Sequence, residues 1–196
     1  MSKPRKAIVN KERSVHTYSE LWHASNCVLN AGIEQPKGSS WQFLSSTLLT
    51  AFSFEAYLNH VGARTVNCWA ELERLPPLSK YELLCETLGV TFPEGTGARP
   101  HQTLIKMLDF RNTIAHGKSI ELKNKPEIRD VNDKLDEYLG ERPLTNWENL
   151  IQTNDFAKRV REDIELIITR LHEARKDEKE HLFSFGMGVH RATIAQ

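Results

Sequence analysis

The feature that most constrains the fold is a set of apolar residues at helical spacing. The clearest example lies near the C-terminal end, where apolar residues recur at steps of four, four, three and four: Phe156, Val160, Ile164, Ile167 and Leu171. Such steps put side chains on one face of an α-helix, which then needs other helices to cover it. No segment alternates strongly enough to predict a sheet. The predicted fold class is therefore all-α, an up-and-down bundle of roughly five to seven helices.

The same spacing and the turn residues between segments place the other helices. A first helix begins at about Val15 and ends before the breaker segment 35–40, and Ser39 or Ser40 is placed to cap the second. Ser79 is expected to cap a later helix that Gly89 ends. The predicted helices lie at about 15–34, 41–63, within 65–77, and at 79–88, 101–116, 128–139 and 156–171. Residues 1–14 are predicted to be a basic flexible arm, residues 15–175 the bundle, and residues 176–196 a charged helix end and tail.

Composition narrows the function classes. The 26 basic residues equal the 26 acidic ones, so any contact with nucleic acid must be local. The three cysteines form no CxxC pair, and no histidine or carboxylate pairs have metal-ligand spacing, so we predict no metal and no cofactor. The longest uncharged stretch, residues 38–54, is interrupted by Ser, Thr and Gln and is not expected to span a membrane. A cytoplasmic protein without a membrane partner is the simplest expectation.

Two charged residues fall within apolar stripes. On a helical wheel at about 100° per residue, Arg111 lies among the apolar residues of the helix at 101–116, and Glu55 lies among those of the helix at 41–63. A charge inside a bundle is costly unless it is paired. We therefore predict an ion pair between Glu55 and Arg111. This pair could also do no more than fix the register of two helices.

The residues after Arg111 suggest chemistry. Asn112 and His116 are four residues apart and share one helix face. His116 lies in the last turn beside Gly117, where the helix dipole favours a protonated imidazole. An arginine, an amide and a titratable imidazole can stabilise a phosphorane and move the 2′-hydroxyl proton of RNA without a metal. The simpler alternative for His116 is a helix-capping histidine.

The segment Arg111–His116, read Arg-Asn-Thr-Ile-Ala-His, resembles the Arg-x(4–6)-His motif of the HEPN superfamily, including the polar residue that follows the arginine in many of its ribonucleases. The flanking segment 108–110, with Asp109, strengthens the resemblance, as do Gly117-Lys118 and the earlier segment 53–59, which contains Glu55. The resemblance covers roughly residues 15–175. It implies a helical bundle that dimerises so that two motifs line one cleft, and metal-independent cleavage of RNA to 2′,3′-cyclic phosphate ends. Typical settings are toxin–antitoxin, abortive-infection and other defence systems, with an antitoxin or other protein partner.

Geometry gives a separate reason to expect a homodimer. Arg111 and His116 are five residues apart, about 140° around the helix, so one chain does not direct both at a single phosphate. Two chains related by a twofold axis could bring one arginine to the other chain's histidine. The leading hypothesis is a HEPN-type ribonuclease that acts through Arg111, Asn112 and His116, with Glu55 and Asp109 in support. The alternatives are a non-catalytic HEPN-like module that binds a nucleotide, nucleic acid or protein, and a helical structural protein without a ligand.

Overall fold

The computed structural model describes residues 7–123, 142–175 and 180–194, and within them the chain is mostly helical. The predicted helix at 128–139, with Gly140 at its end, lies outside the described residues. The helices in the described ranges are α1 (Thr17–Glu34), α2 (Ser40–Thr65), α3 (Trp69–Leu72), α4 (Pro77–Leu88), α5 (His101–Ala115), α6 (Asn146–Leu150) and α7 (Asp155–Glu173). The strands are β1 (Ala7–Arg13) and β2 (Gly188–Ile194).

The helices α1 and α2 contact each other more extensively than any other pair of elements. Small hydroxyl side chains let their backbones approach. Ser46 Oγ donates to the carbonyl of Ser25 at 2.9 Å, and Ser53 Oγ donates to the carbonyl of Tyr18 at 2.7 Å. Because these two hydroxyls have partners, they can lie inside the bundle without being left unpaired. Spacing predicts a buried stripe from Val15 through Tyr18, Trp22, Ser25 and Leu29; the last four are buried, whereas Val15 precedes the helix and is exposed.

The apolar stripe that spacing predicts for α2 (Leu44, Leu48, Ala51 and Leu58) is confirmed in part. Ala51 and Leu58 are buried, whereas Leu44 and Leu48 are only partly buried, and Phe43, Phe54 and Tyr57 are buried as well. The buried face also includes serine and threonine, so polar residues do not mark the outer side of this helix. As a consequence, Glu55 lies at the edge of the buried face rather than at its centre.

The helices α5 and α7 complete the core against α2. The predicted apolar face of α7 is confirmed, since Phe156, Val160, Ile164, Ile167 and Leu171 are all buried. Gly89 ends α4 with a φ of 68°, as predicted. The start of α4 was misplaced, because the helix begins at Pro77, where a missing N–H costs nothing at the first helical position, and not after a Ser79 cap.

The prediction that the chain contains no sheet is wrong. The strands β1 and β2 pair antiparallel, with Ala7 opposite Ile194 and Arg13 opposite Gly188. Part of the N-terminal segment that we predicted to be a flexible arm is thus a strand, as is part of the tail. Sequence periodicity could not signal this pairing, because it joins two short segments from opposite ends of the described chain. None of the described helices is both long enough and apolar enough to cross a bilayer.

Candidate active site at the C-terminal end of α5

The carboxylate of Glu55 on α2 joins three helices. Arg111 Nη2 of α5 donates to Glu55 Oε2 at 2.9 Å, which confirms the predicted ion pair. The pair is less buried than its place in two apolar stripes predicts, since 25% of the Arg111 side chain and 27% of the Glu55 side chain are exposed. The pair therefore lies at the boundary of the core, where one side of the guanidinium remains accessible.

Lys80 of α4 is a second cation on the same carboxylate, and our sequence reasoning missed it. Its Nζ lies 3.4 Å from Glu55 Oε1, and the residue is only 1% exposed. A signal was present in the sequence, because Lys80, Leu84 and Leu88 follow one another at steps of four and share one helix face. A buried ammonium needs a nearby negative charge, and Glu55 provides it.

The guanidinium of Arg111 is held on several sides. Besides its contact with Glu55, its Nη1 donates to Asn112 Oδ1 at 2.9 Å. The guanidinium carbon also lies 5.8 Å from the centre of the Phe52 ring, within the range of a cation–π contact. Arginine keeps its charge at all physiological pH values. The result is a permanent, oriented positive charge beside the accessible amide of Asn112.

His116 is the C-cap residue of α5. Its backbone N–H donates to the carbonyl of Asn112 at 2.9 Å, and its side chain is exposed. The ring borders a cleft of about 780 Å³. The described residues that line this cleft come from the end of α5, the segment after it and the region around α6: Asn112, Thr113, His116, Gly117, Lys118, Ile120, Leu122, Arg142, Pro143, Thr145, Trp147 and Glu148.

The structure does not bring all the predicted site residues into this cleft. Asn112 and His116 line it, but Arg111 does not. Asn112 connects the two parts, since it accepts a hydrogen bond from Arg111 and also borders the cleft. Asp109 is exposed and lines a separate, smaller cavity of about 140 Å³ against Pro76 and Pro77. Asp109 is therefore next to the site, but it is not part of the cleft that contains His116.

Lys118, which flanks the motif, adds positive charge to the cleft. The far wall contributes groups that the sequence did not single out. Arg142 adds a second positive charge, and Trp147 is partly buried against the apolar core, which holds its ring in place. Glu148 adds a negative charge. Its carboxylate accepts hydrogen bonds from the backbone N–H and the hydroxyl of Thr145, each at 2.8 Å, and these bonds lower the pKa of Glu148. The only local signal for this wall is Thr145 followed three residues later by Glu148, a capping-box pattern that α6 does use.

Among the described residues, no group of three or more histidine, cysteine, aspartate or glutamate side chains is arranged to hold a metal ion. The cleft instead combines one imidazole, one amide, two cations, one indole ring and the carboxylate of Glu148, which lies 3.8 Å from Arg142 Nη2. This combination can bind phosphate and an aromatic base, and it can transfer protons. No family model matches the chain, and no curated protein or solved structure is significantly similar to it.

Proposed function

We propose that this protein is a metal-independent endoribonuclease of HEPN type, which cleaves RNA by attack of the 2′-hydroxyl and leaves a 2′,3′-cyclic phosphate. One observation carries the proposal. Asn112 links the fixed guanidinium of Arg111 to the cleft that the exposed imidazole of His116 borders. The resemblance of the Arg111–His116 segment to the HEPN motif supports the same reading.

The proposed reaction needs a proton acceptor, a proton donor and a positive charge near the phosphate. The 2′-oxygen forms a bond to phosphorus as its proton leaves, and the bond to the 5′-oxygen breaks as that oxygen takes up a proton. His116 exchanges a proton in one of these transfers. Arg111 stabilises the extra negative charge on the phosphorane. The Oδ1 of Asn112 already accepts a bond from Arg111, so its NH₂ group is the part that can donate to a phosphate oxygen.

The other residues of the cleft suit a single-stranded substrate. Lys118 and Arg142 can contact neighbouring phosphates, and an unstacked base can pack on the ring of Trp147. Because these cations are confined to one cleft, the neutral overall charge of the chain is no obstacle.

The proposed active form is a homodimer. Within one chain Arg111 lies outside the cleft that contains His116. A twofold axis near the end of α5 would place Arg111 of one copy beside His116 of the other, so that both could act on one phosphate. The expected setting is a cytoplasmic toxin–antitoxin or other defence system, in which a protein partner controls the activity.

The test is cleavage of a mixed pool of single-stranded RNA in the presence of EDTA. We expect wild-type protein to produce cyclic-phosphate ends, and His116→Ala to reduce the rate by roughly 10²- to 10⁴-fold, the usual contribution of general acid–base catalysis. Arg111→Ala should cause a loss of similar size. His181→Ala is the matched control, because His181 is another exposed histidine and does not line the cleft. If a folded dimer cleaves no RNA, or if both alanine variants at the site cleave normally, the nuclease proposal is wrong.

A second candidate is a non-catalytic module that binds RNA or a nucleotide. Two observations favour it. The guanidinium of Arg111 is already paired with Glu55, and Glu148 adds a negative charge to the cleft. For such a module, fluorescence anisotropy with a labelled single-stranded RNA would report binding without cleavage. Trp147→Ala should then weaken binding by roughly 5- to 100-fold, the effect of removing one stacking platform. His116→Ala would have little effect on a module of this kind.

A further inference from the structure

A further cavity lies at the opposite end of α5 from the candidate site. It opens between α4, α5 and the loop at 89–100 that joins them, and its volume is about 520 Å³. Volumes of roughly 300–1,000 Å³ are usual for sites that bind small molecules. None of the described residues that line this cavity also lines the cleft beside His116. The two are therefore separate, and the proposed function makes no use of this cavity.

Much of the cavity wall is apolar. The rings of Tyr81 and Phe92 are tilted against each other, with centres 6.4 Å apart. Leu104 is completely buried, whereas Ile105 is 41% exposed, so the chain leaves part of this wall uncovered. A flat aromatic molecule packs well against such rings and aliphatic side chains. It would also remove the apolar surface of Ile105 from water, which favours binding.

Two buried polar side chains meet among these apolar ones. The hydroxyl of Tyr81 lies 2.6 Å from Nε2 of His101, and the two residues are only 3% and 8% exposed. Burial raises the pKa of Tyr81, so the phenol keeps its proton and needs an acceptor for it. Its other neighbour, the thiol of Cys85, is a weak acceptor, whereas an imidazole nitrogen is a good one. The phenol therefore donates to Nε2, and the neutral imidazole carries its own proton on Nδ1.

The Nδ1 atom of His101 is buried and has no hydrogen-bond partner within the described ranges. An unpaired N–H in such a place is unfavourable, and folded proteins usually provide an acceptor. Because Nδ1 is screened from water, a ligand reaches it by turning a neighbouring ring aside. Of the described rings in contact with the imidazole, that of Phe92 belongs to a loop, and its centre lies 4.6 Å from the centre of the imidazole. The arrangement therefore favours a ligand that brings an acceptor atom.

The charges around the cavity restrict the kind of acceptor. Among the described lining residues, Glu82 has the one carboxylate, and none is a lysine or an arginine. Arg170 lies against the Phe92 ring, at 4.6 Å from its centre, but it is paired with Glu94 and does not line the cavity. A carboxylate or phosphate ligand would thus meet a negative charge without a cation to balance it. A neutral carbonyl oxygen accepts from an N–H without this cost.

We propose that the cavity between α4 and α5 binds a small, uncharged aromatic molecule with a carbonyl group, whose oxygen accepts a hydrogen bond from Nδ1 of His101. The aromatic part packs between Phe92 and Ile105. This site does not depend on the proposed nuclease activity, so failure of either proposal leaves the other standing.

The test titrates the full chain with two probes of nearly the same shape, acetophenone and α-methylstyrene, in which a CH₂ group replaces the carbonyl oxygen. Acetophenone should bind about tenfold more tightly, because only its oxygen can pair with the N–H of His101. Benzoate, a carboxylate of similar size, should bind more weakly than acetophenone because of Glu82. In ¹⁵N spectra of the histidine rings, the proton of His101 should be on Nδ1, and this signal should shift when acetophenone is added.

Variants separate the cavity from the hydrogen bond. Ile105→Trp puts a larger side chain at the cavity wall and should weaken binding of both probes at least tenfold. Leu166→Trp is the matched control, because Leu166 is 40% exposed on α7 and does not line the cavity. The double variant Tyr81→Phe/His101→Phe removes both members of the buried pair, so neither is left unpaired and the fold should be retained. It should bind the two probes equally well, and circular dichroism checks its helices.

Four results would overturn the proposal. One is wild-type protein that shows no saturable binding of acetophenone at millimolar concentrations. Another is equal affinity of the wild type for the two probes, or a preference for benzoate, because the carbonyl would then not be recognised. The third is an Ile105→Trp variant that binds like the wild type, which would place the probes elsewhere on the chain. The fourth is a proton of His101 found on Nε2, since Nδ1 would then be no donor.

Discussion

Two carboxylates in this molecule contact basic side chains from several elements, but these side chains differ in kind. Glu55 contacts Arg111 and Lys80. Glu180 contacts the Nε2 atoms of His16 and His60, at 3.1 and 3.0 Å, and lies 3.7 Å from Arg175 Nη1. The first centre joins a carboxylate to an arginine and a lysine, whereas the second includes histidines, and burial lowers the pKa of one of them, His60.

The two centres also hold different parts of the chain. Glu55 connects α2, α4 and α5, the helices that position the candidate site. Glu180 belongs to the segment after α7, and it attaches that segment to α2 through His60 and to the residue before α1 through His16. The segment then packs Phe183 against Trp22, with ring centres 4.6 Å apart, and continues to β2. The Glu55 centre thus supports the site, and the Glu180 centre anchors the segment that leads to β2.

Removing the Glu55 carboxylate should have the largest effect. Glu55→Ala leaves the buried ammonium of Lys80 and the partly buried guanidinium of Arg111 without their anion. We expect a loss of about 2–3 kcal/mol in the free energy of unfolding, less than for a fully buried pair because Glu55 is partly exposed. Urea denaturation followed by circular dichroism measures it. Glu162→Ala is the matched control, since Glu162 meets Arg99 on the surface and should contribute less than about 1 kcal/mol. A loss below that limit for Glu55→Ala would show that its two cations need no anion.

Neutralising Glu180 should have an intermediate effect. Glu180→Gln keeps the shape of the side chain but removes the charge that faces His16, His60 and Arg175. We expect a loss of about 1–2 kcal/mol. The C-terminal segment should also open more often, which faster tryptic cleavage at Arg191 would report. If cleavage proceeds at the wild-type rate, Glu180 does not anchor this segment.

A conservative change at Arg111 should have a smaller effect on stability and a large one on function. Arg111→Lys keeps the charge, but a lysine cannot contact both Glu55 and Asn112 as the guanidinium does. We expect a loss of about 0.5–1 kcal/mol in unfolding free energy. RNA cleavage should fall much further than this loss of stability explains. Equal cleavage by the lysine variant would mean that only the charge at this position matters.

The weakest expected effect is a dependence of stability on pH that arises at the Glu180 centre. Burial lowers the pKa of His60 below 6.5, although its hydrogen bond to Glu180 opposes this; Arg64 and His16 are the other charged or titratable groups that face it. The unfolded chain therefore takes up this proton at a higher pH than the folded chain. The stability that neutral His60 provides is complete above about pH 6.5 and is lost as the pH falls towards the lowered pKa.

Glu180 changes stability in the same direction at lower pH. Burial raises the pKa of its carboxyl, but the hydrogen bond and charge of His60 outweigh burial and bring the pKa below 4.5. Its contribution is present above pH 4.5 and is lost below that value. Unfolding free energies measured from pH 7.5 to 5 should fall less steeply for His60→Gln than for wild type. Parallel curves for the two proteins would rule out His60 as the titrating group.

Two kinds of feature could be predicted from the sequence: helices whose buried face follows from local spacing, and the pairing of charged residues that lie within apolar stripes. The helical stripes of α1 and α7 could be found because spacing within one segment determines them, and the Glu55–Arg111 pair could be found because an unpaired charge in a bundle is so unfavourable. The position of that pair at the edge of the core, rather than inside it, could not be predicted, because buried serines and threonines make the inner and outer faces of α2 look alike. The function of the site remains a prediction.

Features that depend on distant parts of the chain were missed. The strand pairing of Ala7 with Ile194 joins two segments that are exposed on both faces, so neither shows the alternation that marks a half-buried strand. The wall of the cleft at Arg142 and Trp147 depends on how the chain returns to the bundle before α7, and no periodic pattern specifies that path. Lys80 is the exception, since its place on the face of Leu84 and Leu88 was visible and was overlooked.

The close packing of α1 and α2 has a consequence for the order of folding. The two helices are joined by the short segment 35–39, so bringing them together closes only a small loop and loses little chain entropy. We expect this hairpin to form early, during synthesis of the chain, and Glu55 to be in place from then on. Arg111 follows 56 residues later, and the cleft wall at Trp147 later still. In a nascent chain the carboxylate of Glu55 would thus be in position before Arg111 of α5 is made. Any activity of this site would begin only when the cleft forms in the last folding steps.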